Sequence, residues 1–366
     1  MRFTSSLFIT IFLLSSCAVN KNTTAKGVVT QSQSTVPNEH GLWYYLPKTV
    51  VRVEVTAEKE VVKTGAFYRF SQRFLNISDV ITEDKEEWRI TGAKVSTFGV
   101  PDETKLFRVS TQGAPAMAAM SLTENGILQR VNIPHEKRVK LPKSSRTSEK
   151  IISLSDVHFN DVPFTEEQLI KSSTTAMAEE VAKEIYRLRQ IKNQMLKGDI
   201  ESLPPDAGAY KITFEEIEKQ ENAYLKLFTG IVEKQTVTRV YEFVPDDSHS
   251  LNTVLLRFSP QNGFLENMDV SGTPVYIEIE VDTVQKQNYL SMEDKKSVNT
   301  SGLAVCNPAT GKVKIIDRTL LLAETNVQLG QFGQLYRLPA DLLDNTDAGI
   351  MLDDATGAVK EIIINK

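Results

Sequence analysis

Residues 69–80 read "RFSQRFLNISDV" and residues 257–270 read "RFSPQNGFLENMDV". Both begin Arg-Phe-Ser, both reach Phe-Leu, and both place Asp-Val four residues after that Leu. Working outward, the likeness continues. Upstream of the first copy lies "TVVRV", with Arg52 seventeen residues before Arg69, and upstream of the second lies "TVTRV", with Arg239 eighteen residues before Arg257. Downstream, "STFG" ending at Gly99 precedes "MSLTENGILQRVNI", and "GQFG" ending at Gly333 precedes "IMLDDATGAVKEII". Four anchors in one order predict an internal duplication: two related β-rich, sandwich-like domains over residues 41–133 and 231–366. The second copy then carries about 45 extra residues between its Asp-Val and its Phe-Gly. The competing explanation is that β-rich segments reuse similar strand and turn chemistry. An alternating strand keeps its phase only while the same residues face the core, so duplication places Arg52 and Arg239 on matching faces.

The strand readings rest on alternation. In "VVRVEVTAE" Val51, Val53 and Val55 share one face, with Arg52, Glu54 and Thr56 on the other. "WRITGAKVSTF", "KLFRVS" and "GILQRVNI" read the same way, punctuated by turns at Lys63-Thr64-Gly65, Pro101-Asp102 and Glu124-Asn125-Gly126. Phe67 to Leu75 reads as a short helix. After Gly230 come "TVTRVYEFV", "TVLLRFS", "PVYIEIEVD", "KVKIID" and "GQLYRLP", then a hairpin turning at Asp353 to Gly357. "NPATGKVK" has Gly-Lys without the earlier Gly of a phosphate loop, and reads as a hairpin turn.

Between the β segments the period changes. Residues 134–150 are basic and nearly free of apolar side chains, so 134–163 reads as a linker with a solvated charge run. Residues 164–230 read as an antiparallel helical hairpin, making the fold class α+β. Thr165 and Gln168 have capping-box spacing, with Phe164 and Leu169 placed as a staple. Met177, Val181, Ile185, Leu188, Ile191 and Met195 form one stripe, stopped by Gly198. Pro204-Pro205 and Gly208 turn the chain. Tyr210, Phe214, Ile217, Tyr224 and Phe228 form the facing stripe, which ends at Gly230. The outer faces carry Glu179, Lys183, Glu184 and Lys192, too polar for lipid.

The N-terminus reads as an address. Residues 1–16 form a signal peptide: Arg2, then the apolar run "LFITIFLL", too short to span a bilayer, which takes about 20 residues. "LSSC" ending at Cys17 has the pattern of a bacterial lipobox, which implies a lipidated Cys17 and a membrane anchor. Ala18 in place of Asp is compatible with outer-membrane sorting. With no acidic run after Cys17, the expected orientation faces the periplasm. Residues 17–40 are polar and suit a flexible tether. The chain of 366 residues carries net charge −5 and lacks a basic stripe, which argues against nucleic acid as a partner. With Cys17 lipidated, Cys306 in "GLAVCNP" stands alone and reads as a small buried hydrophobe.

"FYRFSQRFLNISDVITED" followed by Trp88, "YLKLFTG" closing the second helix, and "GQFGQLYRLP" resemble a family of Bacteroidota envelope lipoproteins catalogued as domain of unknown function 4831. The resemblance runs over most of the chain after the signal peptide. It implies a cell-envelope protein and carries no catalytic residue or cofactor. Leu329-Gly330 stands where members often have Ile-Ala.

Candidate chemistry is sparse. His40, His135, His158 and His249 show no metal-ligand spacing, and no nucleophile elbow occurs, so no cofactor or metal is expected. "DVITEDKEEW" gathers Asp79, Glu83, Asp84, Glu86 and Glu87, which read as a solvated edge, with calcium binding or acid/base work as the functional alternative. "GLWYYLP" groups Trp43, Tyr44 and Tyr45, a partner- or glycan-binding candidate whose other reading is a first core strand. The function expected is a non-enzymatic binding or scaffold module for an envelope protein or glycan. The alternative is a glycosidase-like hydrolase whose carboxylates meet only in three dimensions.

Overall fold

The structure is a computed structural model. It describes residues 41–110, 120–133, 150–199, 206–246, 250–282, 303–338 and 348–364. In chain order the elements are β1 (Gly41–Lys63), α1 (Ser71–Leu75), β2 (Lys85–Ser110), β3 (Met120–Leu122), β4 (Leu128–Val131), α2 (Glu166–Leu169), α3 (Thr174–Lys197) and α4 (Ala207–Thr229). Then follow β5 (Ile231–Phe243), β6 (Ser250–Ser259), β7 (Gly263–Leu265), β8 (Thr273–Val281), β9 (Leu303–Asp317), β10 (Leu320–Leu338), β11 (Ala348–Leu352) and β12 (Val359–Ile364). The α+β class is as expected.

Among the described residues three sheets form, in the orders β2-β1-β5, β10-β9-β8-β6-β7 and β12-β11-β4-β3. The alternation in β1 explains the first two. Val51, Val53, Val55 and Ala57 are fully buried and meet Leu256, Val275, Ile277, Val313 and Ile315 across a sandwich core. The start of β1 enters a second core, where Tyr44 and Leu46 pack with Leu128, Ile350 and Leu352. Its far end reaches the helices. At about 3.3 Å per residue, β1 spans on the order of 70 Å and contributes to both of these cores and, through Val61, to a small third one with Val157 and Ile231.

Two separate β domains were the expectation, and the structure overturns it. Residues Gly41–Lys366 make one compact unit. "TVVRV" and "TVTRV" lie on adjacent strands of one sheet, with Arg52 opposite Glu242 and Val55 opposite Arg239. Cross-strand partners share a face. Arg52 therefore lies on the outer face, paired with Glu242 at 2.8 Å, while Arg239 lies on the face of Val55 with its guanidinium over Phe264. The two Arg residues point to opposite faces, so the duplication falls. An inward-pointing charge on an edge strand blunts pairing with foreign strands, which is a physical reason for Arg239 to break the alternation. The two hairpins do form, each with a left-handed glycine, Gly126 and Gly357, but they join edge to edge through β4 and β11 in one sheet.

Smaller differences follow from local competition. Pro101-Asp102 does not end a strand. β2 runs on, with a bulge opposite Tyr45 and Pro47 in which Asp102 accepts from the Thr104 amide and hydroxyl. "NPATGKVK" lies inside continuous β9, and the irregularity falls on β10 between Leu329 and Gln334. The Thr165/Gln168 capping box is made, yet it caps only four-residue α2. The long helix restarts at Thr174, because Ser173 accepts from the Ala176 amide and caps it afresh. Leu169 is 60% exposed, while Phe164 packs against the helical core.

Helices α3 and α4 lie within the residues read as a helical hairpin. Val181, Ile185 and Leu188 of α3 pack on Tyr224, Leu227 and Phe228 of α4 and on Phe67 and Leu75. Asp206 caps α4, which confirms its early start. The hairpin seats on the β1–β2 connection: the Phe67 amide donates to Leu227 O at 2.7 Å, and a Cβ on Gly65 would stand 2.3 Å from that oxygen. Among the described residues no helix is long and apolar enough to cross a membrane.

Candidate functional site

Cys17 lies outside the described residues. The aromatic triplet is split by strand alternation. Tyr44 is buried, its hydroxyl donating to Ala304 O at 3.1 Å and accepting from Ala304 N at 2.9 Å. Burial pushes this phenol up to about 12. Trp43 lies under the Arg108 guanidinium, 5.9 Å from the ring, and Tyr45 covers Gly126. Trp43 and Tyr45, both half-buried, share the face of β1 opposite Tyr44.

The carboxylates of 79–87 are dispersed. Asp84 Oδ1 accepts from the Thr64 amide at 2.7 Å and hydroxyl at 2.8 Å, which holds its carboxyl below the usual range. Glu86 pairs with buried Lys59 at 2.8 Å and accepts from the Leu154 amide, and these partners lower it too. Glu87 pairs with Lys85, while Asp79 and Glu83 face solvent. Among the described residues no group of His, Cys, Asp and Glu is placed to hold a metal ion. Cys306 is buried, and burial raises its thiol to about 11, far from the thiolate that reactivity needs.

A concave feature among the described residues lies elsewhere. Residues 150–163, expected as linker, form a strap across the inner face of the first sheet. Lys63 Nζ donates to Leu154 O and Val157 O, and the Ile152 amide donates to Gln235 Oε1 at 2.8 Å. Val157 closes a small core with Val61 and Ile231. Between the strap, α4 and the start of β5 opens a groove of about 430 Å³. The strap contributes Phe159 and Val162, half-buried, with His158 and Asp161 exposed. From α4 come Glu215, Glu218, Lys219, Asn222 and Lys226 over buried Ala223. β5 adds Ile231 at the floor and Glu233 at the rim.

An ion cluster buttresses the α4 wall. Glu221, buried, accepts from Arg189 Nε at 2.7 Å and meets Lys192 Nζ at 2.5 Å. Burial pushes its carboxyl up, but the Lys192 and Arg189 hydrogen bonds outweigh burial and leave it lowered. This locks α3 to α4 behind the groove.

Sequence reading missed this site. Its one legible signal is the polar face of α4: positions 215, 218, 219, 222 and 226 recur at helical spacing. The strap wall comes from a segment more than fifty residues away along the chain, while β5 follows α4 directly. No curated protein and no solved structure matches the chain. A family model described as domain of unknown function (DUF4831) matches residues 40–360, and the chain belongs to that family.

Proposed function

We propose that this protein is a lipid-anchored envelope module that docks a partner protein in the groove between the strap, α4 and β5. The observation that carries the reading is the groove itself. It has an apolar floor of Ala223 and Ile231, a charged rim, and rigid walls from three elements. The anchor rests on "LSSC" and Cys17. Residues 17–40, read from composition as a tether, precede β1, which begins at Gly41. The groove sits near Lys63, at the opposite end of that strand. The membrane would be an outer membrane and the protein would face the periplasm, a reading that rests on Ala18 and the lack of an acidic run after Cys17. The glycosidase alternative needs two carboxyl groups facing each other about 5–10 Å apart, one of them kept protonated. The groove's carboxylates are all exposed, which lends that reading less support.

Two measurements test the proposal. Cys17→Ser should release the protein from the membrane fraction, and unchanged membrane binding removes the anchor. A photo-crosslinking residue at Asn222 should capture a defined partner in cells, and one at Glu324, outside the groove, should not. Equal capture at both positions, or capture unaffected by filling the groove with Ala223→Trp, removes the docking reading.

A further inference from the structure

Resting on that reading, we infer that the docked segment carries a lysine or arginine side chain beside an apolar one. The groove sorts its charges by wall. Carboxylates stand on all three walls: Asp161 on the strap, Glu215 and Glu218 on α4, and Glu233 on β5. Its two lysines, Lys219 and Lys226, both belong to α4. Four carboxylates against two ammonium groups leave the lining negative. Pairing offsets the α4 carboxylates alone: Glu215 and Glu218 lie 3.7 Å from Lys211 and Lys192, while Lys219 is itself drawn to Glu216 at 3.8 Å. Asp161 and Glu233 make no ion pair among the described residues. A cation entering between strap and β5 therefore meets two carboxylates without displacing a protein partner. The floor of Ala223 and Ile231 rewards a small apolar side chain next to that cation. An anionic segment would face repulsion from two of the three walls.

The test is titration of the whole mature protein with a labelled hexapeptide of sequence Gly-Lys-Leu-Lys-Ser-Gly and with its counterpart in which Glu replaces each Lys. The basic peptide should bind, and added salt should weaken it. The acidic one should bind at least about tenfold more weakly. The double variant Asp161→Asn/Glu233→Gln should weaken the basic peptide about three- to tenfold, as two exposed pairs allow. Lys226→Ala should tighten it, and Glu324→Gln should leave it unchanged. Thermal melts matching the parent establish that the variants fold. Equal affinity for both peptides, no binding of the basic peptide, or full affinity in the double variant would overturn the inference. If crosslinks from Asn222 survive those outcomes, the docking reading stands and only the partner's chemistry is wrong.

Discussion

The two Arg-Phe-Ser phrases share sequence and almost nothing of structure. Arg69-Phe70-Ser71 lies in a helical turn running into α1, and Arg257-Phe258-Ser259 ends strand β6. Ser71 Oγ donates back to Tyr68 O at 2.7 Å, a bond within a helical turn. Ser259 Oγ instead accepts from the Gln261 amide at 3.2 Å and shapes the turn into β7. Arg69 rests over the Tyr68 ring in solvent, whereas Arg257 holds two loop carbonyls, Asn267 O at 2.9 Å and Gly272 O at 3.0 Å. The flanks decide. Phe67, Phe70, Ser71, Phe74 and Leu75 recur at helical spacing and face the helical core. Leu255, Leu256 and Phe258 continue a strand into the sandwich core. A short shared phrase carries no fold of its own; the period of the residues around it does.

The largest test of this contrast is truncation of the two phenylalanines. Phe258 is buried and packs edge-on against Phe264 at 5.5 Å, so Phe258→Ala should cost about 3–5 kcal/mol. Phe70 only borders its core, so Phe70→Ala should cost less than half as much by denaturant unfolding. Equal losses would break the comparison.

Next come the arginines. Arg257→Ala removes two charge-assisted hydrogen bonds and should cost about 1.5–3 kcal/mol, with amide exchange rising through residues 266–272. Arg69→Ala, exposed, should stay within about 0.5 kcal/mol.

Acid should separate the two regions as well. Glu221 binds the hairpin through its ionised form, and its carboxyl is lowered in the folded state. Its contribution is therefore present above the ordinary carboxylate value and is lost as pH falls through the lower folded value. Amide exchange should rise in α3 and α4 over that window before it rises in β6 and β8. Glu221→Gln should remove the pH step. Simultaneous loosening of both regions would contradict this.

The smallest effect concerns the edge. Arg239→Val should change monomer stability by no more than about 0.5 kcal/mol but increase self-association, because it uncharges the inner face of edge strand β5.

Much of the fold was legible because it is local. The stripes of α3 and α4, the glycine stops at Gly198 and Gly230, and the alternation of Val51, Val53 and Val55 each follow from spacing alone. What was not legible is which strand neighbours which. Period two assigns faces, not partners, so nothing in "TVTRV" says that it joins β1 rather than a sheet of its own. The junction of the sheets was hidden for the same reason. Thr49 Oγ1, fully buried, accepts from the Gly330 amide at 2.9 Å and donates to Ala355 O at 2.8 Å, and a Cβ on Gly99 would stand 1.9 Å from Asp354 O. Segments from three parts of the chain thus meet at one buried hydroxyl. The groove was missed likewise, since Asp161, Asn222 and Glu233 converge only after folding.

The pairing of β1 with β5 is the central claim, and cross-strand disulfide trapping tests it most directly. Thr56 and Thr238 face each other with their hydroxyl oxygens 3.1 Å apart, while Arg52 and Arg239 lie on opposite faces. In a Cys17→Ser background, Thr56→Cys/Thr238→Cys should form an intramolecular disulfide on mild oxidation, read by peptide mass spectrometry. Arg52→Cys/Arg239→Cys should stay reduced under the same conditions. A free Thr56/Thr238 pair, or a bond between positions 52 and 239, would contradict the single-sheet architecture.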